Sequence, residues 1–194
     1  MKESSYTERG PAFYKKKQFL SILMGLFIIS IMVFSVLYYG LDSTGQEKVS
    51  YKNLDFVQTT AGWQAYTDSG EKIVIMSNPD DVEHLNTSAS FLSLNGLSKV
   101  YMSINPYDNV GAALQDFERN VHLSSPLVIS CYEDNDRCAD LPIKRCPDAS
   151  PSVGVLIFKE ANETVVTFEN NCMTIEGKDL LKITDKLILD QYAE

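Results

Sequence analysis

Four cysteines, Cys131, Cys138, Cys146 and Cys172, are the residues of this 194-residue chain best equipped for chemistry. Their spacing is C-x6-C-x7-C-x25-C. Structural zinc sites favour closely paired C-x2-C ligands, and the two histidines, His84 and His122, lie far off in sequence. The C-x-x-C redox motif is also absent. An even set of cysteines, all on one side of a long apolar segment, reads as two structural disulfides in an oxidising compartment. Of the three connectivities, the expected one is Cys138–Cys146, stapling a proline-rich loop, with Cys131–Cys172 joining two strand ends. A thiol–disulfide exchange site using Cys131, Cys138 or Cys146 is the enzymatic alternative.

The other reactive types form no motif. Asp134, Asp136 and Asp140 concentrate oxygen ligands, but alanine stands where a calcium loop of the EF-hand kind needs glycine, so a solvated acidic loop is expected. Serine–histidine catalysis needs a histidine beside a nucleophile, and no G-x-S-x-G accompanies His84 or His122. No phosphate-binding glycine loop occurs. The expectation is therefore no catalytic residues, no metal and no cofactor. Asn86-Thr87-Ser88 and Asn162-Glu163-Thr164 are sequons in expected loops, and Asn162 is expected at a hairpin tip.

What positions these residues is set by Phe19–Tyr39, 21 residues without a charge or a proline. At about 1.5 Å per residue such a helix spans a hydrocarbon core of about 30 Å. A cleaved signal sequence is disfavoured by the length of the run and by its exit through Val36-Leu37-Tyr38-Tyr39, with no small-x-small site. Tyr38 and Tyr39, with Phe13 and Tyr14 at the other end, suit the headgroup boundary. Ahead of the run lie five Lys/Arg and two Glu, a charge of +3; after it come 12 Lys/Arg and 24 Asp/Glu, a charge of −12. Lys15-Lys16-Lys17 abuts the run, and such residues stay cytoplasmic. The expected order is a basic cytoplasmic arm (1–18), a transmembrane helix (19–39), a polar linker (40–52) and an acidic extracytoplasmic domain (53–194). Acidity makes nucleic acid a poor partner, because phosphate binding needs a positive surface. The lipid bilayer is the expected partner, with other membrane or envelope proteins, and the Ser21-x-x-x-Gly25 pair offers a face for self-association of the span.

Along the domain, 54–60 and 63–66 predict a hairpin, 72–77 a strand, and Pro79–Leu85 a short helix. Trp63 is expected in the core. Residues 99–104, a helix from an Asp108 N-cap to about His122, and 127–131 predict a βαβ unit with neighbouring parallel strands. After the cysteine loop (132–152), strands at 153–159, 164–168 and 172–176 read as an antiparallel meander, followed by a helix over 179–192. The fold class is α/β, a mixed sheet with two main helices, to which the first hairpin adds either strands or a small separate sheet.

The motifs KVYMSINP (99–106), CADLPIKRC (138–146), the strands around Ala161–Thr164, and NCMTIEG (171–177) with the helix containing Asp185 resemble a family of single-span membrane proteins from small-genome archaea. GWQAYTDSGEKIVIMSNP (62–79) is similar too. The resemblance implies an extracytoplasmic domain, archaeal origin and surface glycosylation, and supplies no catalytic residues. The functional expectation is a membrane-anchored, disulfide-stabilised binding or structural protein of the envelope. The alternatives are the thiol oxidoreductase and an accessory subunit of a membrane complex.

Overall fold

The computed structural model describes residues 12–42 and 47–192; the arm's first 11 residues and the linker residues 43–46 lie outside that range. The chain forms two compact units, 1–46 and 47–194. The first holds one helix, α1 (Ala12–Asp42). Within it Phe19–Leu37 has a mean hydropathy of 2.7 and is long and apolar enough to cross a membrane. Its large apolar side chains are between 51% and 72% exposed. None of them is buried among the described residues, and a span and a signal sequence share this length and composition.

The second unit holds two sheets around one core. β1 (Lys48–Tyr51), β2 (Leu54–Thr59), β3 (Gly62–Tyr66) and β4 (Lys72–Ile75) form an antiparallel meander in that order. The hairpin of β2 and β3 thus joins a separate sheet rather than the main one. β1 corrects the expected linker: residues 48–51 of the supposed tether pair with β2, and Tyr51 is buried. The alternation Val49/Tyr51 is a strand signal hidden by polar neighbours. Gly62 is required where it stands, since its φ is +117° and a Cβ there would meet the Ile75 carbonyl oxygen at 2.4 Å. A short helix, α2 (Pro79–Val82), follows, capped by Asn78.

The main sheet contains β5 (Lys99–Ile104), β6 (Leu127–Cys131), β7 (Val153–Glu160), β8 (Val165–Glu169) and β9 (Cys172–Gly177), ordered β6-β5-β7-β9-β8. β5 and β6 are parallel neighbours linked by α3 (Gly111–Asn120), the expected βαβ unit. The meander expected after the cysteine loop is corrected. β7 pairs with β9 in parallel, and β8 lies outside β9 as the antiparallel edge. Asn170 and Asn171, with φ of 52° and 63°, make the two-residue turn that joins β8 to β9. Residues 161–164 instead carry the chain past the position β9 takes. The last helix, α4, spans Leu180–Tyr192.

Strand alternation divides β7 cleanly. Leu156 and Phe158 enter the main core with Met102, Ile175, α3, α4 and the inward side of the smaller sheet, including Phe56, Trp63 and Ile75. Phe117 of α3 stacks edge-on with Phe91 and Phe158, centroids 4.9 and 6.0 Å away. Val155 and Ile157 point to the opposite face, where they cluster with Tyr132, Cys172 and Ala149. That face is covered by the cysteine loop. The chain moves outward from β5 to β6 through α3, then back across β5 to β7. Right-handed crossovers in opposite directions must lie on opposite faces, so the loop does the work a second helix would do.

Candidate cleft beneath the cysteine loop

The loop is held by two disulfides, Cys131–Cys138 and Cys146–Cys172, with Cα separations of 6.1 and 5.2 Å. Both expected pairings, Cys138–Cys146 and Cys131–Cys172, are therefore corrected. Proximity decides the matter. The end of β6 returns within one turn to Cys138, while Cys146 lies over the sheet face at the start of β9. The backbone amide of Cys131 donates to the Pro142 carbonyl and that of Lys144 to the Cys131 carbonyl, so residues 142–144 lie along the outer edge of β6. Ser103 of β5 donates to the Lys144 carbonyl at 2.6 Å. Three of the sulfurs belong to buried residues, and Cys146 is exposed.

Between loop and sheet lies a cleft of about 530 Å³ lined by Tyr132, Glu133, Arg145, Cys146, Ile157, Lys159, Thr174 and Glu176, among others. Alternation supplies its floor, since Ile157, Lys159, Thr174 and Glu176 all fall on the loop-side face of β7 and β9. Two of its charges pair with each other, and a third bonds a backbone carbonyl. Lys159 donates to Glu176 at 3.0 Å, and the Arg145 side chain donates to the Tyr132 carbonyl at 2.6 Å. The Tyr132 hydroxyl donates to Asp108 at 2.6 Å; burial, and then that bond, pushes the phenol well above its ordinary range. Tyr132 is thus a neutral donor. Asp108 is committed to this contact and to the Glu160 amide, and is not the helix cap expected of it; α3 starts from Val110 without a side-chain cap.

This arrangement places no histidine or activated hydroxyl in the cleft. His84 follows α2 and His122 follows α3, both exposed. The one polarizable electrophile at the wall is the Cys146 sulfur, 3.5 Å from the Thr174 hydroxyl. The cleft thus offers a mixed floor of one apolar and three polar or charged side chains, one ion pair, and a neutral phenol.

The acidic stretch takes a structural part. Asp136 accepts from the Tyr107 hydroxyl, and Arg137 lies 4.4 Å over the Tyr107 ring. The Tyr107 bond, ahead of smaller influences, holds the Asp136 carboxyl below its usual range. Among the described residues no three acidic, histidine or cysteine side chains are grouped to hold a metal. Asn86, in the connector after α2, and Asn162, between β7 and β8, are both exposed, and Asn162 is not at a hairpin tip.

A second polar cluster was missed by sequence reasoning. Asn120 accepts from the Val74 amide at 2.9 Å and donates to the Val74 carbonyl at 2.8 Å. Asp116 accepts from the Met76 amide and Asp185 from the Ser77 amide, each at 2.8 Å. Two helices thus supply the hydrogen bonds that a fifth strand would give β4 and the two residues that follow it. Burial, with Asp116 adding to it, pushes Asp185 up to about 8. The signal was available, because Asp116 and Asn120 fall on the same helical stripe as Ala113 and Phe117.

Comparison with protein-family models, curated proteins and solved structures finds no match to this chain.

Proposed function

We propose that this protein is a single-span envelope protein whose basic arm is cytoplasmic and whose disulfide-bonded domain recognises or organises other components outside the membrane. The carrying observation is the pairing of an uncovered apolar helix with a domain whose four cysteines are all oxidised. The cleft supports recognition over catalysis, since Lys159 and Glu176 pair with each other and Arg145 bonds a backbone carbonyl, so these groups do not converge on a reacting atom. If the host is archaeal, as the motif resemblance implies, exposed Asn86 and Asn162 are its glycan acceptors, and glycopeptide mass spectrometry checks both.

Protease added to intact cells, after any surface coat is stripped, is expected to digest residues 53–194 and leave a membrane-embedded N-terminal fragment. Protection of the domain until cells are permeabilised overturns the orientation. Release of the domain cut after the apolar run, found by N-terminal sequencing, replaces the anchor with a signal sequence.

A second reading, thiol–disulfide exchange, is favoured by one observation, the exposure of Cys146 beside a cleft. An external thiolate would attack the Cys146 sulfur, form a mixed disulfide there and release Cys172 as thiolate. Differential alkylation under graded dithiothreitol distinguishes the readings. Selective, reversible opening of Cys146–Cys172 in the folded domain supports exchange, and loss of both bonds only on unfolding supports a scaffold.

A further inference from the structure

The domain presents four sheet edges, and three are met by another segment, along the strand, by packing, or at one end. β4 is capped by Asn120, and Met76 and Ser77 just beyond it by Asp116 and Asp185. β1 has α2 packed on it. β6 carries residues 142–144 of the cysteine loop at its end. β8 is different. It pairs with β9 through all five residues, yet no hydrogen bond among the described residues reaches its outer side. Proteins blunt such edges with lysine, proline, a bulge or a covering element, because unpaired amides and carbonyls template another strand. Val165-Val166-Thr167-Phe168-Glu169 has no lysine and no proline, and its register with β9 runs without a bulge.

We propose that β8 is a dimerisation edge: two copies of this chain pair their β8 strands antiparallel about a two-fold axis at Thr167, joining two five-stranded sheets into one. In that register every residue of the strand meets a compatible partner. Thr167 faces its own copy. Val166 faces the partner's Phe168, on the side where both already pack against the main core. Val165 faces the partner's Glu169, so the strand's single charge never meets its like. Pairing through every residue of the strand satisfies the outward backbone groups of both copies at once. A two-fold edge contact is also closed, which yields a dimer rather than a fibre. Five residue pairs make a small contact by the standard of stable complexes. Confinement of both copies to one bilayer, the anchoring proposed above, raises their effective concentration; the register itself does not depend on that anchoring.

The test uses the full chain in lipid vesicles, with the photoreactive residue benzoylphenylalanine replacing Val165. Illumination is expected to join two copies, with the linkage mapped to residues 165–169 of the second chain. T167K and T167E each place like charges face to face and are expected to lower the cross-linked fraction by about tenfold. An equimolar mixture of the two variants is expected to recover it to within about a factor of two, because opposite charges then face each other across the same axis. Thr167 is exposed, so unchanged Trp63 fluorescence and melting temperature verify that both variants remain folded. Absence of a link between copies, a link mapped elsewhere than β8, or no recovery on mixing overturns the proposal; the last outcome points to a strand from a different protein. Orientation in the membrane is read separately by the protease experiment, so the two readings fail independently.

Discussion

The edges of β4 and β8 meet the same requirement in opposite ways. Every strand edge carries amides and carbonyls that need partners. At β4 the partners are side chains, buried and committed: the carboxamide of Asn120 reads both groups of Val74 at 2.9 and 2.8 Å, as a neighbouring strand would. At β8 no described residue bonds the outer side, and the strand alternates exposed and half-buried residues. The difference is one of location. β4 lies against α3 inside the core, where an unmet amide costs about 1–3 kcal/mol, so evolution of the helix faces had to supply polar caps. β8 lies at the rim, where water meets the need and the edge stays available to another chain.

The sharpest way to break the comparison is to remove a cap. N120A leaves the Val74 amide and carbonyl buried without partners, and a loss of roughly 3–5 kcal/mol is expected from two such groups. Urea unfolding followed by the fluorescence of Trp63, the single tryptophan, measures it. A loss under about 1 kcal/mol means that water enters the β4 edge and the caps are dispensable.

Next in size is the staple beside β6. Joining C131A with C138A opens a bond of sequence separation 7, worth about 2.5 kcal/mol in the chain-entropy account. The corresponding pair at Cys146 and Cys172 closes a separation of 26 and is expected to cost about 3.5 kcal/mol on the same account. If the smaller loop proves the costlier, its alignment of residues 142–144 along β6 contributes beyond chain entropy.

The sealed edge also carries a pH signature. Asp185 is raised to about 8 by burial, ahead of the influence of Asp116. An unfolded carboxyl titrates near 3.9, so the folded state holds the proton more tightly. The contribution of Asp185 to stability is then greatest below about pH 4, falls as pH rises towards 8, and levels off above it. D185N keeps an acceptor for the Ser77 amide and puts a permanent donor where the proton sits. It is expected to flatten that descent and to be the more stable protein at pH 9. Parallel pH profiles for the two proteins would show that Asp185 titrates normally.

These edges also show where sequence reading succeeds and stops. The βαβ unit was legible because Val100 and Met102 alternate and Val110, Ala113, Phe117 and Val121 repeat at helical spacing. The apolar run of α1 was legible from composition alone. The order of β7, β8 and β9 was not, because three strands separated by short turns fit both a meander and the observed parallel pairing of β7 with β9; only packing of Leu156, Phe158 and Ile175 on α3 and α4 decides. The disulfides failed for the same reason, since Cys131 and Cys172 look like neighbouring strand ends until β5 and β7 are placed between β6 and β9. Of the cleft, the cysteines were foreseen, while Tyr132, Arg145, Lys159 and Glu176 meet only through the crossover of the loop. Asp116 and Asn120 were readable in principle as polar residues on an apolar stripe.

The smallest expected effect is the most discriminating. T167K in a dilute, detergent-separated monomer alters one exposed side chain at an edge with no partner, so its stability is expected to lie within about 0.5 kcal/mol of the parent. The same substitution in vesicles is expected to separate the copies. A residue that matters to folding moves both measurements together, as N120A must. A residue that matters only to association moves the second alone. If T167K destabilises the detergent-separated monomer by more than about 1 kcal/mol, β8 is engaged within its own chain and the contrast with β4 disappears.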